Sequence, residues 1–139
     1  IPVAIGTDGP ASNNCLDMFR EMYLVTALQK LQLSDASACP PEIVLDMAVV
    51  KGAHAMCLKN NDTIKCGNKA DMILIDLSQP NMQPQGNIIR NIVYSGSKQN
   101  VYMTMINGRI LYMNGEFFIG EEKEYIYKTV NKLFSDIIT

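Results

Sequence analysis

The spacing of apolar residues changes near residue 60, and this change limits the folds that the chain can adopt. Between residues 16 and 58 the apolar side chains recur at helical spacing. Met72–Ile75 is instead a continuous apolar run, typical of a strand buried on both faces. Asn107-Gly108 then separates two further apolar segments, as in a two-residue hairpin turn. The sequence therefore predicts an α+β segment in which helices precede a small antiparallel sheet.

Sequence patterns towards both ends of the chain predict further secondary-structure elements. Val3–Ile5 is short and apolar and leads into a glycine-rich loop, which predicts a buried strand. Asn13 or Asn14 is expected to cap the helix that follows, and Pro41 is typical of the first turn of a second helix. Residues 121–138 place apolar side chains at helical spacing, so an amphipathic helix is expected to close the chain.

Composition excludes several classes of function. With 139 residues the chain has the size of one ordinary domain, and its opening at Ile1, within an apparent strand, indicates part of a longer protein. Its 14 acidic and 12 basic side chains give a net charge of -2, without a basic cluster that would bind nucleic acid or an anionic membrane. No apolar stretch approaches the ~20 residues that span a bilayer. Neither nucleic acid nor a membrane is therefore an expected partner.

Most residues with reactive side chains are expected to be structural. The cysteines form no C-x-x-C pair, so we expect reduced, buried thiols in a cytoplasmic protein, with a nucleophilic role as the less favoured alternative: Cys15, Cys39, Cys57 and Cys66. His54 is the only histidine, and its alanine neighbours predict a packed side chain rather than a metal ligand. The nine methionines are spread along the chain and are expected to fill gaps in the core.

Asp8 is the strongest candidate for a functional residue. Parallel α/β proteins present catalytic groups and metal ligands just beyond the carboxyl ends of their strands, where Asp8 follows Val3–Ile5. The alternative is that its carboxylate only accepts hydrogen bonds within its own turn. Ser12 lies four residues later, before a helix, where its hydroxyl either receives a polar substrate group or caps that helix.

Residues 5–19 resemble a known pattern. The string Gly-Thr-Asp-Gly, followed by Ser-Asn-Asn and Leu-Asp, is similar to the end of the eighth barrel strand and the next loop in the metal-dependent amidohydrolase superfamily. The resemblance is to the branch that holds S-adenosylhomocysteine/methylthioadenosine deaminases and chlorohydrolase-like enzymes. Later stretches agree in the same order, so that the resemblance covers essentially the whole chain: 47–58, 67–76, 92–101 and 106–109.

This resemblance implies a parent protein of the α/β class, with a (β/α)8 barrel and a small β-sandwich built from both ends of the chain. Residues 1–60 would be the end of the barrel, with its last strand, the catalytic loop and helices. Residues 61–119 would be the carboxyl-terminal part of the sandwich, and residues 120–139 a terminal helix. The resemblance also implies one divalent metal, usually zinc, at the mouth of the barrel.

The implied function is that of a zinc-dependent hydrolase that deaminates an aminopurine nucleoside or a related ring. Asp8 would contact the metal and the attacking water and shuttle a proton, and Ser12 would contact the small heterocyclic substrate. The other metal ligands would lie upstream, so the segment alone is expected to be inactive. Deamination or dechlorination, and an adenosine-like, guanine-like or triazine substrate, stay open. The alternative is a non-catalytic α+β interaction module.

We expect the isolated chain to self-associate. If the sandwich takes strands from an upstream part, Met72–Ile75 and residues 101–106 keep unpaired edges and an uncovered apolar face, and such edges pair with other chains. Light scattering at high protein concentration is expected to show oligomers. A monodisperse monomer would contradict this expectation and would indicate a module that is complete by itself.

Overall fold

Three helices open the described chain, and four strands with two further helices follow, as the change of spacing near residue 60 predicts. The computed structural model describes residues 1–138. The elements follow one another in this order: α1 (Met18–Leu33), α2 (Pro41–Ala48), α3 (Val50–Ala55), β1 (Met72–Ile75), α4 (Ile88–Tyr94), β2 (Val101–Ile106), β3 (Arg109–Met113), β4 (Glu116–Phe117) and α5 (Lys123–Ile138). The predicted α+β class is confirmed. None of the helices in this range is long and apolar enough to cross a membrane.

Asp17 is the N-cap of α1. Its carboxylate accepts hydrogen bonds from two backbone N–H groups of the first turn, at 3.1 and 3.4 Å. The prediction that Asn13 or Asn14 caps this helix is wrong, because residues 9–13 form a turn of their own and the helix starts after it. Pro41 begins α2 as predicted, at a position where the missing N–H would have no partner in the helix.

Helices α1, α2 and α4 pack around a small apolar core. Its buried residues come from all three helices: Phe19, Met22, Val44 and Val93. Ile75 and Val101 from the sheet pack against this cluster. Gly96 allows the close approach after α4, because a Cβ there would lie 2.8 Å from the Phe19 ring and would also clash with the carbonyl of Ile92. The core therefore joins the helical layer to the end of the sheet.

The four strands form one antiparallel sheet in the order β1-β2-β3-β4. Asn107 and Gly108 turn the chain between β2 and β3 with φ of 49° and 78°, which confirms the predicted hairpin. Asn114 and Gly115 repeat this turn between β3 and β4 with φ of 49° and 89°. Both turns need positive φ at two successive residues, and asparagine followed by glycine meets that need at low cost.

Strand β1 lies at the edge of the sheet. It is hydrogen-bonded to β2 on one side, and the side chains of Ile73 and Leu74 are half exposed. The prediction of a strand buried on both faces is therefore wrong. Burial on both faces requires a covering layer on each side of the sheet, and the part of the chain that the structure describes does not supply both layers.

Four methionines share one face of the sheet. Met72 pairs with Met105 across β1 and β2, and Met103 pairs with Met113 across β2 and β3. These four methionines are spread along the sequence, yet the sheet brings them together. Residues far apart in sequence become neighbours through strand pairing, which a linear pattern of methionines does not reveal.

The opening segment, residues 1–7, has no regular secondary structure and is not a strand of the sheet. Its backbone contact with the helical layer is one hydrogen bond, from the Ile5 N–H to the Met47 carbonyl at 3.2 Å. The prediction of a buried strand at Val3–Ile5 is not met, because a strand needs a neighbouring strand and none of the described residues provides one.

Asn100 is a fully buried amide just before β2. Its Oδ1 accepts hydrogen bonds from Asn81 Nδ2 at 2.8 Å and from the Ser97 N–H at 2.9 Å. Its Nδ2 donates to Gln79 Oε1 and back to Asn81 Oδ1, both at 3.1 Å. The Asn100 carbonyl accepts the Asp76 N–H at 2.7 Å. This one residue therefore ties the end of β1, the loop after it and the start of β2.

Asn100→Asp is expected to lower the free energy of unfolding by about 3 kcal/mol or more. The substitution keeps the shape but replaces two N–H donors by an oxygen that faces the acceptors of Gln79 and Asn81 in a buried place. Urea denaturation measures the loss. Asn131→Asp is the matched control, since Asn131 is exposed on α5, and is expected to change stability by less than about 0.5 kcal/mol. Equal stability of the two variants would contradict the role of Asn100.

Candidate functional site

The structure brings Asp8 and Ser12 into direct contact. The Ser12 hydroxyl donates a hydrogen bond to Asp8 Oδ2 at 2.6 Å. The Gly9 N–H donates to Asp8 Oδ1 at 2.7 Å. Both side chains are exposed, so the carboxylate is accessible to a ligand. The sequence did not single out Gly9 as a partner, although its place directly after an aspartate in a turn is a recognisable signal.

The backbone of Asp8 directs this arrangement. Its φ is 56°, in the left-handed region that aspartate tolerates better than most residues. The chain then turns at once, because the N–H groups of Ser12 and Asn13 both donate to the Gly9 carbonyl, at 3.1 and 2.9 Å. This turn places the hydroxyl of Ser12 against the carboxylate of Asp8, four residues earlier. The geometry is local and needs no contact from another element.

Hydrogen bonding favours the ionised form of Asp8. The bond from Ser12 lowers the pKa of the Asp8 carboxyl below its ordinary value, and the bond from the Gly9 N–H adds to the shift. Asp8 is therefore a carboxylate at neutral pH. In that form it accepts a proton or coordinates a cation. The alternative role of Ser12 as a helix cap is not seen, since α1 is capped by Asp17.

Asp8 fits a divalent metal as one ligand. A carboxylate oxygen is a ligand that zinc accepts in proteins, and each Asp8 oxygen keeps a lone pair beyond its one hydrogen bond. A catalytic zinc has three protein ligands. Within residues 1–138, no three side chains of histidine, cysteine, aspartate or glutamate come together to hold a metal. A complete site would therefore take its other ligands from outside the described residues.

The remaining candidates lie outside this loop. His54 is exposed on α3, with its Nε2 3.4 Å from Asp62 Oδ2, so the expectation of a packed histidine is wrong. Cys57 and Cys66 are exposed, which contradicts the expectation of buried thiols. The turns that follow α3 are exposed to solvent, and the sequence pattern did not reveal this surface position.

Two grooves border the opening segment. One, of about 620 Å³, is lined by this segment and by side chains of α1. The other, of about 560 Å³, lies between this segment and α2 and α3. Asn61 lines the second groove, and its buried Oδ1 has no hydrogen-bond partner among the described residues. The opening segment, which leads directly into Asp8, therefore borders open space next to an unpartnered polar atom.

Comparison with known proteins identifies the family. The sequence model of the amidohydrolase family matches residues 1–111, so the chain belongs to this family, and the resemblance noted in the sequence is confirmed. A protein of Desulfovibrio desulfuricans named 5-methylthioadenosine/S-adenosylhomocysteine deaminase is 44% identical over 117 residues, which are 84% of this chain and 27% of that protein. A protein of the same name from Caldanaerobacter subterraneus is 37% identical over 139 residues, 99% of this chain and 32% of that protein.

Solved structures agree with this assignment. An adenosine deaminase from Xanthomonas campestris with bound zinc matches with a TM-score of 0.92 and 30% identity, over 99% of this chain and 31% of that one. An atrazine chlorohydrolase from Arthrobacter aurescens in complex with zinc matches with a TM-score of 0.76 over 94% of this chain and 29% of that one. At 17% identity the second match shows the fold alone. The chain spans about a third or less of the length of these relatives.

Ser12→Ala is expected to raise the pKa of Asp8 towards its ordinary value, because the hydroxyl provides the larger of the two stabilising hydrogen bonds. A folded-state pKa below the unfolded one means that this bond stabilises the fold above the unfolded pKa, and that the contribution is lost as pH falls through the folded pKa. NMR titration of the Asp8 carboxyl carbon measures the shift. Ser37→Ala is the control, expected to raise the pKa of Asp35 and leave Asp8 unchanged. An unmoved Asp8 in Ser12→Ala would contradict the assignment.

Proposed function

We propose that the chain is the carboxyl-terminal part of a longer zinc-dependent hydrolase that deaminates an aminopurine nucleoside or a related ring. The observation that carries this proposal is the accessible Asp8 carboxylate, held ionised by Ser12 and the Gly9 N–H. Its setting supports it further, because the chain belongs to the amidohydrolase family and its relatives include proteins named as deaminases of 5-methylthioadenosine and S-adenosylhomocysteine.

The proposed parent fold is a (β/α)8 barrel with a small β-sandwich. The opening segment would be its last barrel strand, an assignment supported by the open grooves beside this segment and by the unpartnered Asn61 Oδ1. The edge position of β1 supports a sandwich completed by further strands. The division into residues 1–60, 61–119 and 120–139 stays a prediction. In the described chain α4 packs against α1 and α2, across the first of these boundaries.

Asp8 is proposed to be both a metal ligand and the group that moves a proton. A bound zinc supplies Lewis acidity and lowers the pKa of water to about 7. The Asp8 carboxylate would accept a proton from the attacking water as the water oxygen bonds to the ring carbon. It would return that proton to the leaving nitrogen as the C–N bond breaks, so that ammonia is released. Ser12 would hold the carboxylate in place and contact the substrate.

The alternative of a non-catalytic interaction module is not favoured. It assigns no role to the accessible, ionised carboxylate of Asp8, whereas the deaminase proposal uses that group directly. Self-association of the isolated chain remains part of the proposal, although the expected unpaired edge at residues 101–106 is wrong, because β2 pairs with both β1 and β3. It is supported by the exposed apolar side chains of α5, which occupy one face of the helix: Tyr127, Val130, Leu133, Phe134 and Ile137. The cytoplasmic location stays a prediction.

Asp8→Asn in the full-length protein is expected to lower kcat by roughly 100- to 10,000-fold, the usual contribution of a general acid–base group. Asparagine keeps the shape and one acceptor oxygen, so it can accept from the Gly9 N–H while its NH2 group donates to the Ser12 hydroxyl oxygen, but it cannot take a proton. Zinc retention is also expected to fall, because a charged ligand becomes neutral. Steady-state kinetics, metal analysis and thermal melting provide the measurements.

Asp35→Asn is the matched control, since Asp35 also accepts hydrogen bonds from a nearby serine but lies in the connector after α1. This control is expected to keep normal kcat and normal zinc content. Near-normal kcat in Asp8→Asn, with zinc bound and the fold intact, would remove Asp8 from the reaction and leave it as a turn residue.

A further inference from the structure

The loop that carries Asp8 is tied to the helical layer on both of its sides. Before the loop, the Ile5 N–H donates to the Met47 carbonyl of α2 at 3.2 Å. After the loop, Asn13 Nδ2 donates to Oε1 of Glu21 on α1 at 2.7 Å. The bonds within the loop give it its shape, whereas these two contacts set where it lies relative to the helices.

The bond between Asn13 and Glu21 is the stronger of the two ties. Its acceptor is a carboxylate, and hydrogen bonds to an ionised group are shorter and roughly twice as strong as those between neutral groups. Both residues are half-buried, which limits competition from water. The bond from Ile5 joins two neutral backbone groups and is longer. The side of the loop that follows Asp8 therefore depends on the Glu21 carboxylate.

Glu21 stands on a rigid part of the molecule. Its neighbours on α1, Phe19 and Met22, are both buried in the apolar core. The Glu21 N–H donates to the Asp17 carbonyl at 3.2 Å, in the first turn of the helix. The backbone of Glu21 is thus fixed by the core, and its carboxylate is a firm point for the loop to bind.

Asn13 relates this point to the Asp8 carboxylate. Its side-chain amide is held at both ends, because Oδ1 accepts the Cys15 N–H at 3.2 Å while Nδ2 binds Glu21. The Asn13 N–H donates to the Gly9 carbonyl at 2.9 Å. The Gly9 N–H in turn donates to Asp8 Oδ1 at 2.7 Å. A continuous run of hydrogen bonds therefore leads from α1 to the carboxylate of Asp8.

We propose that Asn13 and Glu21 are positioning residues that hold the Asp8 carboxylate in place for the reaction. This inference rests on the proposed function, in which Asp8 must come within hydrogen-bond reach of the attacking water. A displacement of about 1 Å at a reacting group costs up to roughly 100-fold in rate. The alternative is that Glu21 only stabilises the start of α1, where the helix dipole favours a negative charge.

The test measures ammonia release from 5-methylthioadenosine, per bound zinc, by the full-length enzyme. Glu21→Ala is expected to lower kcat roughly 10- to 100-fold. Glu21→Gln keeps an acceptor oxygen for Asn13 and is expected to recover most of this loss. Glu42→Ala is the matched control, because Glu42 occupies the first turn of α2 but is exposed, and it is expected to keep normal kcat.

Three kinetic outcomes would overturn the proposal. The first is normal kcat in Glu21→Ala, and the second is an equal loss in Glu42→Ala, which would reduce the effect to helix stability. The third is an equal loss in Glu21→Gln. If Glu21→Ala does not fold, Asn13→Ala removes the same bond from the loop side, and the same 10- to 100-fold loss of kcat is expected.

A second background shows whether Glu21 acts through Asp8. In protein that already carries Asp8→Asn, Glu21→Ala is expected to cause little further loss of kcat, because the group that it positions no longer moves a proton. A loss of the same size in both backgrounds would overturn the proposal, since Glu21 would then act on some other part of the enzyme.

Amide exchange of Cys15 gives a readout that does not depend on activity. Its N–H is bonded to Asn13 Oδ1, and Glu21 holds the other end of that side chain. NMR is expected to show exchange about 5-fold faster or more in Glu21→Ala, and an unchanged rate in Glu42→Ala. An unchanged rate in Glu21→Ala would overturn the proposal.

The two measurements separate the proposed function from the role of Glu21. If the wild-type enzyme releases no ammonia, the proposed function fails, while the exchange rates still decide whether Glu21 holds Asn13. If the wild-type enzyme releases ammonia and Glu21→Ala does so at the same rate, the proposed function stands and the positioning role fails.

Discussion

The buried amide of Asn100 is the contact on which the junction between helices and sheet depends. It is fully buried, and a buried polar group is costly unless its donors and acceptors are paired. Its hydrogen-bond partners are the side chains of Asn81 and Gln79 on one side and the backbone N–H of Ser97 on the other. These partners belong to the loop after β1 and to the chain after α4. Satisfying one amide therefore positions the end of β1, the loop and the start of β2 relative to α4.

The loop that carries the candidate site is held by local hydrogen bonds instead. Asp8, Gly9 and Ser12 contact one another within five successive residues, and their hydrogen bonds do not depend on the sheet or on the helical core. The segment before them has no strand partner among the described residues, yet the carboxylate is oriented and its pKa is lowered. A site built on local hydrogen bonds keeps its shape while its surroundings are incomplete, which suits a group that must be oriented before a substrate binds.

The exposed apolar surface is large because few of the apolar side chains belong to the core. The core of Phe19, Met22, Val44 and Val93 is small, whereas β1 and α5 keep large apolar side chains exposed. Exposed apolar area of this extent is typical of surfaces that pack against further protein. This observation agrees with the proposal of a longer enzyme, in which the two grooves beside the opening segment and the free edge of β1 would be covered.

The sequence by itself determined the features that depend on neighbouring residues. Asn107-Gly108 predicted the hairpin, Pro41 the start of α2, and the spacing of Asp8 and Ser12 the candidate site, because turns, caps and short loops are governed by local backbone preferences. Whether the Ser12 hydroxyl receives a substrate group or caps a helix was open, and its bond to Asp8 was seen only in the structure.

Only the tertiary structure decided what depends on residues distant in sequence. It paired Met72 with Met105, brought Asn100 to the end of β1, and left Val3–Ile5 without a strand partner. It also placed Cys57 at the surface, where apolar neighbours in the sequence had indicated burial. Burial and strand pairing depend on which other segments of the chain pack against a residue. A local sequence pattern does not show which segments those are.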